Sequence, residues 1–216
     1  EKLEGPFLIS LDKQYEDSHP KIVFVGKENN GWMTGNSREF YEKKGIKEAL
    51  EEYDNFDFEK TYPCNFLKCL KALREAKFGK DETTNRRRSI VYSNLFKFNQ
   101  GNKAPMVKSV FREEVLNIQD GIFQEEIRIL QPDSVVFVTG PDYDEVIQKF
   151  YPDVQFLPVN GYPQNEISRL ASNCLPKLTF RTYHPDYAML YGKNKISRDY
   201  YELISELIKE SVFQSN

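Results

Sequence analysis

A single α/β domain, a three-layer α/β/α sandwich around a mostly parallel four-stranded sheet, is the fold this sequence predicts, and three observations predict it. Short apolar, β-branched runs recur along the chain and two of them close on glycine, "KIVFVG" (21–26) and "SVVFVTG" (134–140), as buried parallel strands do. Segments of helical periodicity stand between the runs. No stretch rich in Pro, Gly or Ser marks a boundary within the 216 residues, so one domain spans 1–216.

Each element has its own signal. The first strand is "KIVFVG". Residues 37–53 carry Phe40, Ile46, Leu50 and Tyr53 at near-helical spacing, and 64–78 set Phe66, Leu67, Leu70 and Leu73 on one face. The polar segment 79–89 reads as a loop and "IVYSNLFKF" (90–98) as the second strand. A long helix follows over 109–130, with Gly121 as the place for a break. "PDSVVFVTG" (132–140) is the third strand, and "PDYDEVIQKFY" (141–151) opens with proline and acids as a helix does. "KLTFRTYHP" (177–185) supplies the fourth strand, and the final helix runs from about Lys195 to Val212.

Composition narrows the function classes. At 39% hydrophobic and 14% aromatic residues the chain is a globular one. Its net charge of -3 gives no overall attraction for nucleic acid, so any such partner needs a local basic patch. Cys64, Cys69 and Cys174 lack metal-ligand spacing and read as reduced thiols. No apolar run reaches membrane-spanning length and none reads as a secretion signal, which leads to an expectation of a cytoplasmic protein without a membrane partner.

Open parallel sheets bind ligands at the carboxyl ends of their strands, and that rule gathers three unusual stretches into one place. In "GKENNGW" (26–32), Gly26 and Gly31 bracket Lys27, Glu28, Asn29 and Asn30 in a turn able to aim side chains at a ligand. The same stretch also reads as an ordinary polar turn, and its spacing fits neither a P-loop nor a dinucleotide fingerprint. Asn94 interrupts an apolar strand; it serves either neighbouring backbone or, with one donor and one acceptor, the edge of a base. His184, in "RTYHPDYAML" (181–190), precedes Pro185, which biases it toward an extended conformation at the strand's mouth. It reads as a fixed hydrogen-bond donor or as a structural histidine. His19 looks like a surface residue without a role.

Together these stretches resemble the uracil-DNA glycosylase superfamily, over roughly residues 21 to 200. "GKENNG" is similar to that family's first motif, with Glu28 where the best-known branch has its carboxylate and Asn29 where proline is usual. "YSNLFKF" is similar to the strand whose asparagine reads the flipped base, which maps onto Asn94. "TYHPDYAML" resembles the second catalytic motif, with His184 on the histidine and Asp186 where a small residue is common. The resemblance places Phe40 as the aromatic that stacks on the base, with Trp32 or Tyr41 as substitutes. Three cysteines without the required spacing leave no basis for the family's iron–sulfur cluster.

The resemblance implies an enzyme that flips a uracil-like, damaged or modified base out of DNA and hydrolyses its glycosidic bond, as a monomer and without metal or organic cofactor. Glu28, Asn29 and His184 are then the catalytic candidates, and Gly26, Lys27, Trp32, Phe40 and Asn94 the base-binding ones. Lys97, Tyr187, Met189, Leu190 and Lys193 would meet DNA, Leu190 as the wedge that fills the vacated stack. Arg86, Arg87 and Arg88 read as phosphate contacts or as a solvated loop, and Met189 and Leu190 equally as the packed start of the final helix. Two alternatives stand beside this reading. One is a non-catalytic nucleic-acid-binding protein on the same fold; the other is a Rossmann-like enzyme acting on a free nucleoside.

Overall fold

The computed structural model of the chain describes residues 5–11, 13–28, 45–47, 50–51, 53–54, 73, 75, 90–100, 108–184 and 196–213. The four expected strands are present as β1 (Ile22–Glu28), β2 (Ile90–Phe96), β3 (Ser134–Phe137) and β6 (Leu178–Thr182). They are mutually parallel in the order β2-β1-β3-β6. Their register is level: Ile22 stands beside both Ile90 and Ser134, and Ser134 beside Leu178. The carboxyl ends of all four therefore form one edge.

Side-chain alternation along these strands divides the core in two. A short helix, α1 (Lys13–Glu16), precedes β1. Val23, Val25, Val91, Leu95, Val135 and Phe137 pack with residues of α2 (Arg112–Ile118), α3 (Ile122–Leu130) and α4 (Asp144–Phe150). Ile22, Phe24, Ile90, Val136 and Phe180 pack with Tyr200, Tyr201, Ile204 and Ile208 of α5 (Ile196–Phe213). Helices thus cover both faces. The break expected at Gly121 separates α2 from α3, with that glycine at φ 76°. The described residues within 45–54 and at 73 and 75 are helical, in keeping with the periodicity there.

The sheet is larger than expected and mixed, with six strands in place of four. β4 (Gln155–Pro158) and β5 (Ile167–Ala171) form an antiparallel pair, and β5 runs antiparallel to β6. The reason is a buried arginine. Arg181 of β6 is 2% exposed and lies over the Phe156 ring. It donates from Nε and Nη2 to Asp144, from Nη1 to the Asn165 carbonyl, and from Nη2 to the Gln164 carbonyl and Ser168 Oγ. Those bonds tie β5, the turn before it and the start of α4 to β6, so the added strands satisfy a charge that could not be buried unpaired.

Candidate functional site

Gly26 on β1 stands in register with Asn94 on β2. Asn94 is 1% exposed and shares a face with Tyr92, two residues earlier. Tyr92 donates its hydroxyl to Asn94 Oδ1 at 2.5 Å. A side chain at position 26 would collide with both: an added Cβ would lie 2.5 Å from the Tyr92 hydroxyl and 2.6 Å from Asn94 Oδ1. Glycine is what this corner requires. Asn94 Nδ2 is buried and has no hydrogen-bond partner. Leaving such a donor unpaired costs about 1–3 kcal/mol, so Asn94 Nδ2 is a buried amide donor near a strand's carboxyl end with capacity for one further hydrogen bond.

Three strands along from β2, the chain leaves β6 and reaches His184, which is partly buried. The strand end is fixed by the Gly140 N–H donating to the Thr182 carbonyl (3.0 Å) and by the Tyr201 hydroxyl of α5 donating to the Tyr183 carbonyl (2.9 Å). Burial, and after it the Lys27 ammonium, lower the His184 pKa to about 3. The imidazole is therefore neutral at physiological pH and offers one N–H donor and one acceptor nitrogen.

Between these flanks β1 delivers Lys27 and Glu28, both partly buried. Lys27 Nζ lies 5.6 Å from the centre of the Tyr143 ring. Tyr143 sits in the 3₁₀ turn Pro141–Tyr143 that follows β3. Its hydroxyl is buried without a partner, as is Thr139 Oγ1 just before the turn. Burial raises the Tyr143 pKa, and the Glu28 and Asp142 carboxylates raise it further. Glu28, Lys27, Tyr143 and His184 are thus electrostatically coupled across one edge.

Asn94 on β2 and His184, two residues beyond β6, are separated by β1 and β3, so their strands lie about 14 Å apart at roughly 4.8 Å per strand.

One expectation changes, and several others lie outside the described residues. Lys97 is no phosphate contact. It is fully buried on the opposite face, where Nζ bonds Ser93 Oγ (2.6 Å) and Glu126 Oε2 (2.5 Å) and lies over the Phe123 ring. Desolvation lowers its pKa while Glu126 works the other way. Sequence reasoning also missed Tyr92, Thr139 and Tyr143. Strand alternation marks Tyr92, and the carboxyl-edge rule applied to β3 marks the other two. Asn29, Trp32, Phe40, Tyr41, Arg86, Arg87, Arg88, Asp186, Tyr187, Met189, Leu190 and Lys193 lie outside the described residues. A groove of about 710 Å³ opens elsewhere, lined by Tyr162, Arg169, Phe180, Leu203, Leu207 and Glu210, and holds none of the candidate residues.

Among the described residues no helix is long and apolar enough to cross a membrane. No protein-family model matches the chain, and no curated protein matches it either.

Proposed function

We propose that the protein is a DNA glycosylase-like enzyme, with the three-layer sandwich of the uracil-DNA glycosylase kind, that excises a uracil-like, damaged or modified base. The observation that carries this reading is the unpaired Asn94 Nδ2 on β2, with the neutral His184 just beyond β6, on strands whose carboxyl ends share one edge of the sheet. A flipped pyrimidine between them would give an oxo group to Nδ2 and a ring N–H to Oδ1, which has a second lone pair beyond the one Tyr92 uses.

The chemistry follows from the residue types. As the C1′–N bond breaks, its electron pair moves to the base, and the sugar gains positive character. The His184 N–H donates to the developing oxyanion without itself carrying charge into the pocket. Glu28 stabilises the sugar cation and takes a proton from the water that attacks C1′. The base leaves as an anion and takes a proton from solvent, Glu28 returns its proton to solvent, and the products are the free base and an abasic sugar.

A second reading, an enzyme acting on a free nucleoside, is favoured by the withdrawal of Lys97 from the rim, which removes a phosphate contact. One experiment separates them. Free nucleosides and duplexes carrying uracil, other deaminated bases or modified pyrimidines are incubated with the protein, and released base is identified by mass spectrometry. Release from a duplex that vanishes in Asn94→Ala and His184→Ala supports the glycosylase. Release from nucleosides only supports the second reading, and DNA binding without release from any substrate overturns both.

A further inference from the structure

Tyr92 has no place in the mechanism above, yet its hydroxyl sits on the one amide thought to read the base. The 2.5 Å contact to Asn94 Oδ1 falls within the range of O–H···O bonds and below that of N–H···O bonds. It therefore identifies the amide oxygen as the atom facing Tyr92. Tyr92 precedes Asn94 by two residues on the same face, and with one lone pair of Oδ1 taken by its hydroxyl the other arm of the planar amide is left for another partner. That arm is Nδ2, the buried donor without a partner.

The tyrosine is itself held. Tyr53 donates its hydroxyl to the Tyr92 carbonyl (2.9 Å), and Phe7 meets the ring edge-on with centroids 5.7 Å apart. Gly26 closes the other side, since an added Cβ would fall within 2.6 Å of both partners. The hydroxyl cannot drift and the amide cannot turn without losing its bond.

We infer that Tyr92 is a specificity-determining residue: its hydroxyl locks the Asn94 amide with Nδ2 toward the ligand, so the site accepts a base edge presenting an oxo group there and rejects one presenting an amino group. The inference rests on the proposed role of Asn94 as base reader. An amino group would set donor against donor in a buried place, and leaving those groups unpaired costs far more than a missing contact at a surface.

Tyr92→Phe removes the hydroxyl and keeps the ring. Free uracil and free cytosine are titrated, to millimolar concentration, into wild type and Tyr92→Phe, while the Asn94 side-chain amide is followed by NMR. Wild type is expected to favour uracil by about tenfold or more. In Tyr92→Phe that preference should narrow to about threefold or less, mainly through improved cytosine binding, and the amide resonance should move. Wild-type discrimination that survives unchanged in Tyr92→Phe overturns the lock and leaves the proposed function standing. An amide resonance indifferent to the substitution also overturns it. Wild type that binds neither base, or both equally, removes the base-reading role and the lock with it.

Discussion

The Lys27 ammonium rests over the Tyr143 ring, 5.6 Å from its centroid, and from there its charge acts on His184 at the end of β6. A cation fixed by an aromatic face is a durable electrostatic element. Its effect on a neighbouring imidazole opposes protonation, in the same direction as burial.

The first prediction is the pH behaviour of His184. Its folded pKa of about 3 lies below the unfolded value near 6.5, so between those values the unfolded chain binds the extra proton. The stability that depends on neutral His184 is complete above about pH 6.5 and is lost as pH falls toward 3. Denaturant titrations across that range should show the loss, and His184→Gln should flatten it. In Lys27→Met the imidazole pKa, read by NMR, should rise but stay below 6.5, because desolvation is the larger cause. An imidazole titrating near 6.5 in the wild type contradicts this.

Asn94→Ala should separate stability from function. Losing the Tyr92 bond costs about 1 kcal/mol, while removing an unpaired buried Nδ2 returns a similar amount, so the net change should stay within about 1 kcal/mol. Base release should fall by about 100-fold or more. A stability loss above about 3 kcal/mol would make Asn94 a structural residue instead.

Gly26→Ala should do the opposite and damage both. The new methyl meets the Tyr92 hydroxyl and Asn94 Oδ1 inside contact distance, and relieving that overlap costs about 1–3 kcal/mol. Thermal unfolding reads the cost. Normal stability together with normal base release would show that the Gly26–Asn94 corner is looser than described.

The Lys97–Glu126 pair supplies a contrast away from the site. Glu126→Ala leaves a fully buried ammonium without its carboxylate and should destabilise by about 3–5 kcal/mol. Lys97→Met should cost much less, because Glu126 keeps some access to water. Neither substitution should alter the salt dependence of DNA affinity measured on folded protein. A shallower salt slope in Lys97→Met would return Lys97 to the phosphate-binding rim.

The parallel part of the sheet was legible because buried strands leave apolar runs rich in β-branched residues, unbroken at the start of β1 (IVFV) and in the VVF of β3, and interrupted by polar residues in β2 (IVYSNLF) and β6 (LTFRT). Glycine and the carboxyl-edge rule then brought Gly26, Glu28, Asn94 and His184 to one side. β4 and β5 were not legible: β4 is mostly exposed, with Gln155 and Pro158 at its ends, and neither strand has a long apolar run. Their cause, Arg181, reads in sequence as an ordinary surface arginine, since its partners come from Asp144 and residues 164–168. Lys97 misled for the same reason. Its partner Glu126 lies 29 residues away on a helix, and only packing reveals that the lysine faces inward.

The central claim is that Asn94 and His184 act on the two edges of one base. A double-mutant cycle on single-turnover base release tests it most directly, using wild type, Asn94→Ala, His184→Ala and the double variant on one duplex substrate. The account predicts a loss of about 100-fold or more for each single variant, and a double loss smaller than their product, since both stabilise the same departing base. Wild type that releases no base, or single variants that release it at the wild-type rate, would contradict the account.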